Sequence, residues 1–196
     1  MSGTTYGGGA VAAQAQSDLT TAYNLAAAQT GAIDKSGVDL GTMTLTPGVY
    51  FFSSSAQLTG TLTLNSQGDP NAVFVFQIVS TLTTASNSSV AFINGGNGNN
   101  VFWQVGSSAT LGTQTAFAGT ILALADITMN TGASIQCGNA LARNGQVTLD
   151  DNAVTTCSGL SLATPEPSSG SLLLLLGLPT LLWVRKRRMS PKFAQI

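Results

Sequence analysis

Residues 109–150, ATLGTQTAFAGTILALADITMNTGASIQCGNALARNGQVTLD, contain the repeat that decides the fold class. A threonine followed by leucine or methionine recurs at Thr110, Thr128 and Thr148, at steps of 18 and 20 residues. Each pair precedes a polar turn and a second apolar position. The same residue types at the same phase, with a period near twenty, are typical of one β-helix coil per repeat. A β-sandwich needs no such matched phase, so the repeat favours a solenoid.

Short β-type runs also occur upstream, from Val38 onward, separated by Gly, Asn, Ser and Asp. The runs MTLTPGVYFF, QLTGTLTLN and AVFVFQIV are examples. Many short strands with turn signals are typical of a sandwich, a barrel or a solenoid. We expect similar coils to begin near Leu58 and Leu82, stretched by the loops QGDPNA and NGGNGNN. The fold class is therefore predicted to be mainly β.

One helix is predicted over residues 10–29, which are rich in alanine and contain neither Gly nor Pro. Its apolar residues recur at spacings of three and four and share one face, and they are Val11, Ala15, Leu19, Ala22 and Ala26. Gly31 is a plausible end of the helix. We expect this long helix to pack alongside the solenoid through its face of small residues.

The two cysteines test the register of the repeat. Cys137 lies eight residues after Met129, and Cys157 lies eight residues after Leu149. They therefore have the same phase in adjacent coils, where strands stack roughly 4.8 Å apart. A disulfide requires Cα atoms roughly 5.5 Å apart, so we predict a Cys137–Cys157 disulfide. Two unpaired buried thiols are the alternative.

Charge and composition exclude several functions. Only 8% of residues are charged, and residues 1–164 hold seven Asp against Lys35 and Arg143 as the only cations, so no nucleic-acid partner is expected. There is no His, which removes the commonest general base and metal ligand. The adjacent acidic pair Asp150–Asp151 is interpreted as a polar turn, because neighbours on a strand point to opposite faces. We therefore predict no enzyme, no metal and no cofactor.

The C-terminal part reads as a sorting segment. A Pro/Ser/Gly linker at 159–170 precedes an apolar stretch at 171–184, basic residues up to 188 and a tail at 189–196. This order resembles the PEP-CTERM sorting signal of Gram-negative bacteria. Its motif Pro165, Glu166 and Pro167 lies in the linker, and the sorting segment 171–188 ends in the basic residues Arg185, Lys186, Arg187 and Arg188. The resemblance implies an exported protein at the cell surface or secreted, with a transient inner-membrane anchor and an exosortase as partner.

The body resembles the ice-binding-like family of microbial antifreeze proteins. Matching stretches include AQAQSDLTTAYNLAA, DLGTMTLTPGVYFFSSSAQLTGTLTLNSQGDPNAVFVFQI and NVFWQVGSSATLGTQTAFAGTILA. The resemblance implies a discontinuous right-handed β-helix of roughly triangular section with one long helix alongside. We place an N-terminal segment at 1–36 and the solenoid domain at 37–158. Members normally carry a signal peptide and several dozen solenoid residues before the helix, so we expect that the signal peptide is missing from this chain.

An ice crystal is the partner that this reading implies, since ice offers a repeating lattice of oxygens and no charge. A binder needs a flat, stiff surface, and threonine supplies a hydroxyl, a methyl and a stiff χ1. Alternate threonines of TLTL-type strands point outward. The candidate contacts are Thr61, Thr63, Thr81, Thr83, Thr110, Thr113, Thr115, Thr128, Thr131, Ser134 and Thr148.

The face that binds ice is left open by the sequence. Gln114 and Phe117 fall inside one candidate strand and weaken its claim. The alternative function is an extracellular matrix or adhesion protein that keeps the solenoid without useful ice affinity. A flat, unbroken threonine face favours ice, whereas bulky or charged interruptions favour adhesion.

Overall fold

Seventeen strands and one long helix make up the part of the chain, residues 7–157, that a computed structural model of the protein describes. The helix α1 spans Ala10–Ala27, and a short 3-10 turn spans Gly98–Asn100. The strands are β1 (Ile33–Asp34), β2 (Thr44–Leu45), β3 (Gly48–Phe52), β4 (Ala56–Leu58), β5 (Thr61–Asn65), β6 (Phe74–Ile78), β7 (Leu82–Thr84), β8 (Ser89–Ile93), β9 (Val101–Val105), β10 (Ala109–Leu111), β11 (Ala116–Ala118), β12 (Thr120–Ala123), β13 (Ile127–Met129), β14 (Ser134–Gln136), β15 (Ala140–Ala142), β16 (Val147–Leu149) and β17 (Ala153–Val154).

These strands form three parallel sheets, and each turn of the chain, here called a coil, passes through sheets A, B and C in that order, although coil 1 has no strand in sheet B. Sheet A is ordered β1-β3-β6-β9-β12-β15, sheet B is ordered β4-β7-β10-β13-β16, and sheet C is ordered β2-β5-β8-β11-β14-β17. The predicted mainly β solenoid is thus confirmed as stacked parallel strands. Coils 1 to 6 follow one another in sequence order in sheets A and C, and coils 2 to 6 do so in sheet B, so no discontinuity occurs among the strands from residue 33 to residue 154. The first strand begins at Ile33, before the predicted boundary at 37.

The core lies between the three sheets and is filled by alternate residues of each strand. Its largest members are aromatic and lie on sheets A and C. Tyr50 stacks on Phe76 at 5.5 Å between ring centroids, and Phe76 stacks on Trp103 at 3.8 Å. The Trp103 indole N–H donates to the carbonyl of Ala118 at 3.0 Å. This bond satisfies the one polar atom of a fully buried ring, so the stack joins three coils without a desolvation penalty.

The stacking leaves no room for side chains at one corner of the solenoid. A Cβ atom on Gly138 would lie 2.0 Å from the carbonyl oxygen of Gly119 in the coil before it. Gly119 itself has a φ of 94°, a backbone conformation that is strained for any residue with a Cβ atom. Two glycines at the same phase therefore let the backbone turn from sheet C to sheet A in adjacent coils.

Helix α1 packs against the outer face of sheet A, as the sequence predicts. Leu19, Tyr23 and Ala26 are buried there in a cluster with Val75 and Leu122. The helix C-terminus is held by the Gln77 side chain, whose amide donates to the carbonyls of Ala26, Ala27 and Gln29 at 2.9, 3.1 and 2.9 Å. These carbonyls are among those that no helical N–H satisfies.

The predicted contact face of α1 is correct at Leu19 and Ala26 and wrong at Val11, Ala15 and Ala22. Val11 is 58% exposed, and Ala15 and Ala22 are exposed too, while Tyr23 is buried instead. The cause is the position of the helix: Thr20 already lies beside Arg143 of coil 6, its hydroxyl accepting from the Arg143 Nε at 3.2 Å. The helix residues before Leu19, Val11 and Ala15 among them, therefore extend past the last described coil.

The predicted disulfide is confirmed. Cys137 and Cys157, 20 residues apart, are bonded, with their Cα atoms 4.5 Å apart. It ties the end of coil 6 to the end of coil 5. No helix within residues 7–157 has the length and apolarity that a membrane span requires. The apolar stretch 171–184 and the whole predicted sorting segment lie outside the described residues.

Removing the disulfide is expected to destabilise the solenoid. Closing a loop of this length lowers the entropy of the unfolded chain and contributes about 3 kcal/mol. We expect the double variant Cys137→Ser/Cys157→Ser to lose about that much free energy of unfolding, measured by urea denaturation. Reductant should destabilise the wild type by the same amount and leave the variant unchanged. Equal stability of oxidised and reduced wild type would contradict the prediction.

Asp39 links coil 1 to coil 2, and its charge should make stability depend on pH. Its Oδ1 accepts from the N–H of Gly41 at 2.7 Å and from that of Thr59 at 2.9 Å. Partial burial would raise the pKa of Asp39, but these hydrogen bonds outweigh it and hold the pKa below the usual value of 3.8.

A lowered folded-state pKa stabilises the fold above pH 3.8, and that contribution is lost as the pH falls through the folded-state pKa. We expect Asp39→Asn to be less stable than the wild type at pH 7. The difference should shrink as the pH falls below 3.8, in urea denaturation followed at a series of pH values. A difference that stays constant down to pH 2 would show that the charge plays no part.

Candidate functional site

The outer face of sheet A is not available to a large partner. Helix α1 covers this face, and two outward side chains of sheet A, Val75 and Leu122, are only 6% and 2% exposed. Sheets B and C have no such cover among the described residues. A flat contact surface is therefore to be sought on these two sheets.

The outer face of sheet B carries a column of threonines in register. Thr83 pairs with Thr110, Thr110 with Thr128, and Thr128 with Thr148. Gln57 of coil 2 pairs with Thr83 and extends the column to five coils. Each of the strands has three residues, and except on the last strand, β16, the residues on either side of the outward one are buried. The alternation predicted from the repeat thus places the threonines outward at a spacing of roughly 4.8 Å.

A second column runs beside the first, two residues earlier in each coil. Its members are mostly short and polar, and they are Ser55, Thr81, Ser108, Asp126 and Gln146. The Thr81 hydroxyl donates to Ser55 Oγ at 2.8 Å. Ser108 Oγ accepts from the Asp126 N–H at 3.3 Å, and Asp126 Oδ1 accepts from the Gln146 N–H at 2.9 Å. Hydrogen bonds between successive coils therefore hold this column in place.

The prediction from sequence identified Thr81 in this second column and missed the other four members. Their signal was available, because each lies two residues before a member of the threonine column and so points the same way. These four positions were missed because they are not threonines, and the repeat was recognised by its threonines. Of the ten positions, Asp126 alone carries a charge, so the surface is nearly neutral.

Sheet B is also regular along its flanks. The turns that enter it and leave it are short in every coil, whereas the two long connections, 66–73 and 94–100, lie between sheets C and A. The second of these packs against the corner between sheets C and A, since a Cβ on Gly98 would lie 2.7 Å from the Gln136 carbonyl oxygen and 2.9 Å from the Gly119 nitrogen. Insertions therefore leave the outer face of sheet B unobstructed.

Sheet C holds three predicted candidates on a less regular surface. Thr61, Ser89, Ala116, Ser134 and Ala153 form one column in register across five coils. Thr63 lies in the next column, beside Thr44 and Ala91. Ile93 at the end of β8 is 43% exposed, and the strands vary from two to five residues. Hydroxyls on this face alternate with alanines and an isoleucine.

The remaining candidates lie at the corner between sheets B and C. Thr113 and Thr131 are exposed there, in turns that precede β11 and β14. Gln114, considered part of a strand, has a φ of 56° and belongs to this corner. Phe117 is 1% exposed and points into the core, so it does not interrupt any surface.

Thr115 is a correction, because it faces the core and cannot contact a partner. It is fully buried, and its hydroxyl lies 2.8 Å from that of Thr84 and donates to the Ala85 carbonyl at 3.2 Å. Thr84 Oγ1 accepts in turn from the Gly112 N–H at 2.9 Å. Gln114 has a positive φ, and the side chain of the next residue, Thr115, points into the core. Counting alternate residues across this turn does not predict that direction.

Within residues 7–157, no three His, Cys, Asp or Glu side chains lie close enough together to hold a metal ion. The profile of the family described as ice-binding-like matches residues 1–155. The chain belongs to this family. The stacked parallel sheets, the helix on sheet A and the neutral threonine column are thus features of an ice-binding-like protein.

Two relatives illustrate the similarity. The chain is 56% identical over 192 residues to an ice-binding protein of Nostoc sp. strain HG1, a match that covers 96% of this chain and 71% of the relative. It is 40% identical over 147 residues to ice-binding protein 1 of Shewanella frigidimarina. That match covers 72% of this chain but only 16% of the Shewanella protein, which is therefore much longer.

A solved structure agrees with the sequence relatives. The crystal structure of an ice-binding protein from an Antarctic biological consortium superposes with a TM-score of 0.72 at 48% identity, covering 74% of this chain and 67% of that one. The names of these ice-binding-like relatives describe binding to ice and no reaction.

The buried pair Thr84 and Thr115 should stabilise the fold, whereas the exposed threonine nearby should not. We expect Thr115→Val to lower the free energy of unfolding by about 1–3 kcal/mol, because the Thr84 hydroxyl loses its buried partner. Urea denaturation measures the loss. Thr113→Val, at an exposed position two residues away, is the matched control and should leave stability unchanged. A wild-type stability for Thr115→Val would show that the pair is dispensable.

Proposed function

We propose that this ice-binding-like chain adsorbs to ice through the outer face of sheet B. One observation carries the proposal: Thr83, Thr110, Thr128 and Thr148 pair in register, one per coil. The similarity to named ice-binding proteins supports ice as the target. No catalytic step and no cofactor belong to this function.

The chemistry of the face fits a solid water lattice. Threonine hydroxyls at a constant spacing hold water in an ordered layer, and their methyl groups disfavour freely reorienting bulk water. The β-branched side chain has few rotamers, so little entropy is lost on contact. Stacked coils keep the surface flat, whereas an open sheet would twist. Many weak contacts then act together, and growth of the crystal is pinned between adsorbed molecules.

The centre of the face is formed by coils 3 and 4. In coils 3 and 4 both columns carry hydroxyls, at Thr81, Thr83, Ser108 and Thr110. The coils on either side are less suited, because coil 2 carries Gln57 and coil 5 carries the Asp126 carboxylate beside Thr128. A charged or long side chain is strongly hydrated and mobile, and so holds less ordered water. Sheet C, with its alanine positions and exposed Ile93, supports ice binding less well.

The remaining predictions from sequence complete the proposal. The coils wind right-handed with a roughly triangular section, as the resemblance implies. The protein is exported in a Gram-negative bacterium, and the C-terminal segment, with its motif at Pro165–Glu166–Pro167, sorts it to the cell surface. The stretch 171–184 anchors the protein transiently in the inner membrane, and an exosortase cuts near the motif. The solenoid then faces ice from the cell surface or the medium.

Ice-affinity partitioning tests the proposal. The full chain should be retained in growing ice, while a control protein of similar size is excluded. Thr110→Tyr places a bulky ring at the centre of the threonine column and should reduce retention at least about tenfold. The ring breaks the fit of many cooperating contacts at once, each of which is weak alone.

Thr63→Tyr is the matched control, with the same change on the outer face of sheet C. It should be retained like the wild type, and circular dichroism should show both variants folded. Loss of retention in Thr63→Tyr but not in Thr110→Tyr would move the contact to sheet C. Exclusion of the folded wild type from ice would reject ice binding for this chain.

A further inference from the structure

The two ends of the solenoid differ in how far they close the core. At the coil 1 end, Leu40 and Leu45 belong to the core and are 0% and 5% exposed, and Ile33 is half-exposed. Three inward side chains of coil 6 are 37–41% exposed, and they are Val147, Leu149 and Val154. The equivalents of the first two are buried in coils 2 to 5. Among residues 7–157, the core is therefore nearly closed at coil 1 and open at coil 6, here called the open end.

The backbone of β16 carries unused hydrogen-bonding groups at the open end. On either side of this strand, the carbonyls of Gln146 and Asp150 accept from N–H groups of coil 5 at 2.9 and 3.2 Å. Thr148 lies midway and directs its polar groups the same way. Since directions alternate along a strand, the backbone groups of Val147 and Leu149 point to the outer edge, where no described strand follows. Such an edge pairs readily with another strand.

Helix α1 extends past the open end along the side of sheet A. The residues before Leu19 project beyond coil 6 by about 14 Å, at a rise of roughly 1.5 Å per residue. This length equals almost three coils. Between the projecting helix and coil 6 lies a groove of about 760 Å³, and its lining includes Val11, Ala15 and Leu141. The open end therefore has an apolar wall on one side.

We propose that a second copy of this chain binds the open end, so that two chains form a two-fold dimer through coil 6. A head-to-tail contact would set coil 6 on coil 1 of the next copy. Coil 1 has no strand in sheet B to pair with β16, and its core residues Leu40 and Leu45 are already buried. Another open end offers both an unpaired edge and exposed core side chains. A surface that binds its own equivalent is related to it by a two-fold axis.

The side chains of β16 fix the register of this contact. A two-fold axis makes β16 antiparallel to its equivalent in the second copy. With Thr148 on the axis, Val147 of each copy pairs with Leu149 of the other through the unused backbone groups. Both apolar side chains then face the joined core, and the two threonines face outward together. A shift by one residue would set a core side chain opposite an outward one.

The projecting helix decides which sheets meet. Across a two-fold axis the order of the three sheets reverses, so one sheet meets its own equivalent and the other two exchange. If sheet A met sheet A, the helix would collide with that of the second copy. If sheet A met sheet B, the helix would lie on the polar side chains of Asp126 and Gln146. If sheet A meets sheet C, the helix lies on the short side chains of Ser134 and Ala153, and sheet B meets sheet B, as the register of β16 requires.

The charges of coil 6 favour the same arrangement. Arg143, one of two cations in residues 7–157, follows β15 at the corner between sheets A and B. Asp150 and Asp151 follow β16 at the corner between sheets B and C. When sheet B meets sheet B these corners exchange, so Arg143 of each copy lies near two carboxylates of the other. Either alternative brings like charges together, because Arg143 meets its own equivalent or the aspartates meet theirs.

The dimer would lengthen the surface that the proposed function uses. With Thr148 on the axis, the threonine column of one copy continues into that of the other. The column would then span the sheets B of both chains without a break. The dimer itself is argued from the open end alone and does not rest on ice binding.

Cysteine cross-linking of the full chain tests the geometry. Thr148→Cys places two thiols on the axis as a non-hydrogen-bonded pair, with Cα atoms about 4.5 Å apart. This distance is within the range of a disulfide. Mild oxidation should therefore give a covalent dimer on a non-reducing gel. Thr110→Cys, the same change in the same column two coils away from the axis, is the matched control and should run as a monomer.

Sedimentation velocity of the full chain tests the contact without a cross-link. The wild type should sediment as a dimer. Val147→Asp places a carboxylate in the joined core and should raise the dissociation constant of the dimer at least about tenfold. Val147 is 37% exposed in a single copy, so the variant monomer should fold, as circular dichroism checks. Val38→Asp, the same change at a valine of coil 1 that is 47% exposed, is the control and should remain dimeric.

Three results would overturn the proposal. A monomeric wild type would show that no second copy covers the open end. A dimer as tight in Val147→Asp as in the wild type would place the contact outside coil 6. Equal cross-linking of Thr148→Cys and Thr110→Cys would reject the axis at Thr148. Sedimentation and cross-linking are scored without ice, so loss of the dimer leaves the proposed function standing, and exclusion from ice leaves the dimer standing.

Discussion

In-register parallel pairing between successive coils is the constraint on which the rest of this structure depends. The steps between paired threonines are unequal, 27 residues from Thr83 to Thr110, then 18 and 20, yet every one ends at the same position of sheet B. Backbone hydrogen bonds allow no partial shift, since a slip of one residue would turn each buried side chain outward. The extra residues must therefore leave the stack at a corner, and they do so between sheets C and A.

Confining insertions to one corner divides the surface among different tasks. Sheet A receives helix α1, anchored by Gln77 and Tyr23, and that face becomes part of the fold. Sheet C borders the long connections and tolerates alanine, isoleucine and strands of different length. Sheet B keeps three-residue strands and short turns, and its outward residues form two regular columns in which Asp126 is the one charged member.

Threonine serves opposite purposes on the two sides of one strand. Thr83 and Thr84 are neighbours in β7, but the first is exposed and the second is 3% exposed and bonded to Thr115. The buried pair supports a coil by satisfying the Gly112 N–H, whereas the exposed column is free to order water. Composition alone, which is rich in threonine throughout, does not distinguish these roles. The distinction depends on where each corner ends and the alternation begins again.

The sequence by itself determined the class of fold, the helix, the disulfide and the stacking of Thr110, Thr128 and Thr148, because these follow from local periodicity at a constant phase. Only the tertiary structure decided which threonines share a face. Thr61 and Thr83 belong to different sheets, and Thr115 lies in the core. Ser55 and Ser108 lie in the same column as Thr81, which is the one member of that column that the sequence analysis named. The physical reason is that a corner residue with positive φ resets the direction of the side chains after it. The direction of a face is set by three-dimensional turns, and a one-dimensional count of alternating residues cannot follow it across them.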